Sequence, residues 1–581
     1  MDLATGISTI QAFQSSLSVL TALQLTAYKY PPPASFDENL NFDYVVVGAG
    51  TAGAVLAARL SENPDITVAL IEAGGDPPLE AEYAGLFPLE IKMEYDYNFL
   101  GENDNFSCQH AQRKVPQMTS GKLLGGTTGV MHLNYFRGDP QDYNRWAEIS
   151  GDDSWKYDNL FPYFVKMERM EDPEILNSET ANLHGTEGPL RITREPNAMN
   201  KPYINSFEEI GLGYNLDTNN NKTLGVTDSF LMISSDGTRQ DTAECYLSPA
   251  RDRKNLYVYK QTVVTKIIFD DDKNAIGVEA FTPDNQTVTI KVKREVIVSA
   301  GAIKSPQILM LSGIGPQDHL KELDISVISD LPVGQNLRDR PGVALVYKMQ
   351  ASNETVPPAD PRMFPVPHTF SFKAMDESQN VPDFQAVNLV FPHDQLGLTM
   401  ISAFVVKYED AISTKFIEAN TGHELLMSIL SNGYPKSTGQ VLLKSTNPLE
   451  DPEIHLGLFS NSSDVEDMGE YLKYYSQIGE TTYFKDVGAE FVKLNLPECE
   501  DLEFGSLDYW KCYAVGMSVP FWQSMSTCSM GSVVDSELKV KGVQNLRVVD
   551  ASAVPYFTSG KPIAAIMVMA EKVADLIKQS Q

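Results

Sequence analysis

Six residues fix more of this chain's architecture than any other stretch: Gly48-Ala49-Gly50-Thr51-Ala52-Gly53. An apolar, β-branched run over 42–47 precedes them, and a helix-forming run over 54–60 follows, closed by Ser61, Asn63 and Pro64. A second strand is expected over 66–71, ending at Glu72 about 20 residues beyond the last glycine. In this setting Gly48 permits a tight turn, Gly50 lets a pyrophosphate reach the backbone at a helix N-terminus, and Gly53 allows close packing of helix on strand. Thr51 and Ala52 complete the loop. Glu72 is placed to bond ribose hydroxyls and to disfavour a 2′-phosphate. The pattern predicts an α/β, Rossmann-like dinucleotide-binding domain.

Its other parts lie far away in sequence. A strand is expected over 296–300, leading through Gly301 into a helix over 305–311, and another strand over 546–549. A helix follows over 562–577, with Ile563, Ile566, Met567, Ala570, Val573, Ala574 and Ile577 on one face. The expected division is an N-terminal segment 1–40, a discontinuous cofactor domain of 41–150, 230–335 and 540–581, and an interleaved α+β substrate domain of 151–229 and 336–539. Five prolines between 357 and 367 mark a long loop that can edge a substrate cavity.

Charge narrows the partners. With 77 acidic against 46 basic side chains the formal charge is −31, which repels nucleic acid and anionic membranes. No stretch is long and apolar enough to predict a membrane span. The cysteines, Cys108, Cys245, Cys499, Cys512 and Cys528, show no metal-ligand spacing, so no metal is expected; Cys499 and Cys512 are either a disulfide or two thiols. The uncharged, partly apolar segment 3–28 reads as a secretory leader or an amphipathic helix. Sequons at Asn105, Asn221, Asn285, Asn353 and Asn461 favour secretion. Oligomeric state stays open.

Two longer stretches carry a resemblance. Gly121-Lys122-Leu123-Leu124-Gly125-Gly126-Thr127-Thr128, with Tyr135-Phe136-Arg137-Gly138 after it, and Gly301-Ala302-Ile303-Lys304-Ser305-Pro306, continuing to Gly315, resemble the two signatures of the glucose-methanol-choline (GMC) oxidoreductases, in order. The likeness runs from about residue 41 to the C-terminus and extends to insect, lepidopteran members. It implies bound FAD, with Gly125, Gly126, Thr127, Thr128 and Met131 facing the flavin and its phosphates. Val263 is implied near the adenine, Ala300 near the adenosine half, and Asp550 and Ala551 by the ribityl chain and pyrophosphate. Trp522 is placed with the cofactor-binding residues.

The catalytic stretches depart from that family. Gln523 stands where alcohol-oxidising members carry a His base, and an amide is no base near neutral pH. Lys561 stands at the second catalytic position, usually His or Asn. Met131 and Arg340 replace other signature residues, and His132 is a candidate relocated base or a structural histidine. Lys561 precedes a helix, where a cation is unfavourable unless an anion offsets it, be that reduced flavin, a substrate enolate or a neighbouring carboxylate. Three readings follow: an FAD-dependent alcohol or steroid dehydrogenase or oxidase; a redox-dead FAD-binding protein; or a non-redox enzyme with flavin as scaffold, acting on a small aldehyde or alcohol. The third resembles family members that isomerise (3Z)-hexenal to (2E)-hexenal by proton transfer, with Lys561, Gln523 and His132 as catalytic candidates.

Overall fold

The computed structural model describes residues 1–36, 40–351 and 360–580. Two seven-stranded sheets organise it. The first is built around Asn41–Val47, flanked in parallel by Val68–Ile71 and by the second half of Thr287–Val298, so that Val45 pairs with both Ala69 and Val296. Leu256–Tyr259 and Leu546–Val548 extend it in parallel at either flank, while Ala275–Phe281 and Val263–Phe269 form an antiparallel meander off the first half of the long strand. Buried on both faces, the central strands are continuous apolar runs, as parallel strands covered by helices must be. Gly53–Leu60, Gly301–Leu311 and Ile563–Gln579 are among the helices packed with this sheet in one apolar cluster.

The second sheet is antiparallel. Its strands include Gly225–Asp228, Pro341–Gln350, His368–Lys373, Phe384–Phe391 and His423–Asn432, and its apolar residues form a separate core.

Several elements differ in extent from their sequence reading. The strand expected over 296–300 is the end of a twelve-residue strand, and the helix expected from 305 starts at Gly301 although Pro306 lies inside it. Proline removes the donor that would bond Ala302 O, and Thr527 Oγ1 donates to that carbonyl instead at 2.7 Å. Segment 3–28 contains a helix, Leu3–Ala22, capped by Asp2 and seated through Leu3 and Ile10 on Leu89, Ala403 and Phe404. Residues 31–33 run extended beside Leu256–Tyr259, with Ala34 N bonded to Val258 O at 2.8 Å; Glu38 and Asn39 lie outside the described residues, as do Asn353, Pro357 and Pro358. Cys499 and Cys512 form a disulfide, with Cα atoms 5.8 Å apart. Among the described residues no helix is long and apolar enough to cross a membrane.

Candidate functional site

A cavity of about 510 Å³ runs from the glycine turn to Trp522, Gln523 and Lys561. At one end the chain closes on itself without side chains. A Cβ on Gly53 would lie 1.9 Å from Gly48 O, and one on Gly126, where φ is +55°, would lie 2.6 Å from Gly50 Cα. Two backbone segments pack this closely only as glycine, and bare backbone of this kind is what a pyrophosphate needs at a helix N-terminus. Gly48, Gly50, Thr51, Ala52, Gly126, Thr127, Met131 and Val263 line the cavity, as do Ala300, Trp522, Asp550 and Ala551. Gly53, Gly125 and Thr128 stand behind that surface; Thr128 Oγ1 donates to Gly125 O at 2.6 Å and so shapes the loop.

Two buried acids frame the cradle. Glu72 accepts from Ala49 N and Gly74 N, both at 2.8 Å, and burial pushes its carboxyl up to about 7. Its remaining lone pairs are the ones available to a ribose. Asp550 accepts through one oxygen from Ser552 N and Oγ and through the other from Gly301 N and Ser305 Oγ, at 2.5 to 2.8 Å. Protein donors thus satisfy it, and its clearest effect is to hold the Gly301 turn. The glycine cradle, and a lining that continues from it past Ala300 and Ala551 to Lys561, fit a dinucleotide such as FAD.

At the other end Lys561, Gln523 and His132 share the cavity wall. Lys561, Asn134, His132, Val405 and Trp522 also line an adjoining apolar compartment of about 30 Å³, closed by Phe87, Phe364, Ile401, Leu389 and Ile429. Phe364 brings the proline-rich loop to this wall.

The Lys561 ammonium lies 3.7 Å over the Phe521 ring and 3.4 Å from Phe521 O. No carboxylate forms an ion pair with it among the described residues: Asp339 is held by Gln523 N, Ser524 Oγ and Arg340 N. Burial, aided by the charge of Arg340, brings the amine down to about 7. His132 packs edge-on to Trp522 at 5.2 Å and tilted on Phe87 at 4.8 Å. Burial and the Lys561 charge bring it down to about 3, so its ring is neutral and a poor base at neutral pH.

Gln523 is oriented by Arg340. The guanidinium can only donate, so the amide oxygen must face it, and the amide NH2 is left buried without a partner. The same guanidinium bonds Gly560 O at 2.9 Å and Thr558 O at 2.7 Å, fastening the loop that presents Lys561. Trp522 between them has φ +55°, a conformation rare for a bulky residue and concentrated at functional sites. Sequence reading noted Arg340 only as a departure and missed Asn134 and Asp339, which carry no motif.

Two family models described as GMC oxidoreductase match residues 42–342 and 435–570. Ecdysone oxidase of Bombyx mori is 33% identical over 585 residues, covering 98% of this chain and 86% of the relative. A glucose dehydrogenase [FAD, quinone] of Drosophila melanogaster is 31% identical over 580 residues, covering 94% and 88%. Among solved structures, pyridoxine 4-oxidase from Mesorbium loti superposes with a TM-score of 0.78 at 25% identity, covering 93% of this chain and 99% of that one.

Proposed function

The chain belongs to the GMC oxidoreductase family, whose cofactor is FAD, and from that premise we propose that it isomerises a small β,γ-unsaturated aldehyde, (3Z)-hexenal to (2E)-hexenal, by proton transfer. The observation that carries this reading is the polarity of the site. Gln523 offers a fixed N–H donor and no base, beside an amine that is half neutral near pH 7. A carbonyl oxygen needs the donor, and the acidic C2–H between carbonyl and alkene needs the base. In this mechanism neutral Lys561 takes the C2 proton, Gln523 holds the oxygen as charge develops on it, and the ammonium of Lys561 returns a proton at C4. His132, Trp522 and Phe87 wall off water, and the apolar compartment receives the short alkyl tail. FAD, when bound, supplies redox capacity to this family; the isomerisation draws on none of it. We read Gly48, Gly50, Gly53, Gly125 and Gly126, with Glu72 and Val263, as the residues that hold the dinucleotide; the expected 151–229 and 336–539 segments also send Trp155, Phe164, Met525 and Val533 into the apolar cluster of the first sheet.

A second reading, oxidation of a CH–OH donor, is favoured by the activities named for the insect relatives. Neutral Lys561 can take an alcohol proton as well as a C2 proton, but Gln523 then has no acceptor role. Incubation of the purified flavoprotein with (3Z)-hexenal in deuterated buffer separates the two. Isomerisation gives (2E)-hexenal labelled at C4 while the flavin stays oxidised; bleaching of the flavin by an alcohol, with the enal unchanged, would establish the oxidoreductase.

We also read the protein as exported. The Cys499–Cys512 bond suits an oxidising compartment, and Asn105, Asn221, Asn285 and Asn461 are all exposed.

A further inference from the structure

Asn134 lies two residues beyond His132, on a segment fixed on both sides: Tyr135 N donates to Phe230 O and Met232 N to Leu133 O, each at 2.8 Å. Leu133 and Tyr135 are buried in apolar clusters, whereas Asn134 lines both the large cavity and the compartment beside it. Lys561, His132 and Trp522 line the same two spaces, so Asn134 stands at their junction. It is 4% exposed, and among the described residues its side-chain nitrogen is buried without a hydrogen-bond partner. A carboxamide in an apolar wall is costly unless something satisfies it, and Leu or Met would fill the place at less cost. Gln523, which lines the same cavity, carries a second buried amide nitrogen without a partner among the described residues.

We propose that Asn134 and Gln523 together cradle the carbonyl oxygen of the substrate, a two-amide site for the negative charge that develops there. The proposal rests on the isomerase reading and deepens it: the preferred substrate is a carbonyl compound, since a pair of N–H donors matches an oxygen that accepts two bonds and has no proton to give. As the C2–H bond breaks, its electron pair forms C1=C2 and the carbonyl π pair moves onto oxygen, between the two amides. Lys561 holds the proton. When C4 is protonated, the C3=C4 pair becomes the new C4–H bond, the C1=C2 pair moves to C2=C3, and the carbonyl re-forms. Nothing is oxidised or reduced. Among the described residues no hydrogen bond holds the Asn134 nitrogen, so a turn of the side chain can bring its N–H to the oxygen.

The test uses the FAD-loaded enzyme and its Asn134→Leu variant with (3Z)-hexenal, reading kcat, KM, flavin absorbance and deuterium incorporation. The expected result is a fall in kcat on the order of 10²-fold, with KM and the flavin spectrum little changed. An unchanged kcat overturns the proposal. So does wild-type turnover per bound flavin combined with weakened FAD retention, which would make Asn134 a flavin ligand. Should the leucine variant fail to fold, Asn134→Ser, whose hydroxyl is too short to reach the same oxygen, is expected to show the same loss. If the wild-type enzyme itself neither isomerises nor incorporates deuterium, the isomerase reading has failed; an active wild type with an equally active variant removes only the cradle.

Discussion

At Lys561 two requirements pull in opposite directions. A proton-transferring base needs a conjugate acid near neutrality, and the site reaches this by enclosing the amine beside Arg340 without an ion-pairing carboxylate. The unfolded chain keeps that amine protonated up to about 10.5. Folding therefore expels a proton between pH 7 and 10.5: the stability penalty is absent above that window, grows as pH falls through it, and is constant below about 7. At about 1.4 kcal/mol per unit, Lys561→Met is expected to stabilise the protein at pH 6 by a few kcal/mol while isomerisation is lost. If Lys561 is the base as proposed, kcat/KM of the parent enzyme should rise about tenfold per pH unit up to pH 7 and level off above it, since only the neutral amine can take the proton. Urea unfolding of both proteins and a pH profile of the parent check this; a flat profile from pH 5 to 9 would remove Lys561 as the base.

Among the elements, those with a local signature were legible in the sequence and those assembled at long range were not. The strand, turn and helix over 41–60 announce themselves through a change of hydrophobic period and glycine spacing, and their limits lie close to the expected ones. Helix Gly301–Leu311 started early because Thr527, more than 200 residues away, satisfies the carbonyl that Pro306 exposes. The second sheet joins strands as distant as Gly225–Asp228 and His368–Lys373, so no window of sequence contains its pairing. Gln523 and Lys561 were visible as departures from a signature, but Asn134 and the Arg340 lock exist only in three dimensions. The N-terminal helix is a similar case. Its composition suits a leader, yet Leu3 and Ile10 pack on Ala403 and Phe404, while Ile401 and Val405 of that same turn of chain face the apolar compartment. Gln14 Nε2 also bonds Leu89 O and Ile91 O, at 2.9 and 3.0 Å. The helix thus backs the wall of the pocket. Ile10→Asp, placing a carboxylate where exposure is nil, is expected to raise KM for the enal several-fold and leave the flavin spectrum unchanged. Unaltered KM would mean that the wall stands without the helix.

For the whole molecule, buried ion pairs join segments that sequence separates. Glu571, fully buried in the C-terminal helix, accepts from Arg59 and Tyr246 and pairs with Lys166. Arg137, just past the glycine-rich loop 121–128, bonds Glu168 at 2.6 Å and Asn219 O at 3.2 Å, so it ties that loop's segment to the 151–229 segment. His184 stands between Glu168 and Asp217, at 3.3 and 3.0 Å. Burial opposes ionisation of Glu168, but the Arg137 guanidinium and His184 overcome it and hold the carboxyl at about 2. That depressed value stabilises the fold above about pH 4.5, and the contribution is lost as pH falls toward 2. His184 has the opposite sign: despite burial, Asp217 and Glu168 raise it, so its contribution is full below about 6.5 and is lost as pH rises through the raised value. Glu168→Gln leaves a buried guanidinium without its counter-charge and is expected to cost roughly 3 to 5 kcal/mol at pH 6. Because the parent loses the same interaction on acidification, the gap between the two proteins should close between pH 4.5 and 2 in urea titrations monitored by tryptophan fluorescence. A gap that stays constant across that range would mean that Glu168 is already neutral in the folded protein and that hydrogen bonding alone joins the two halves there.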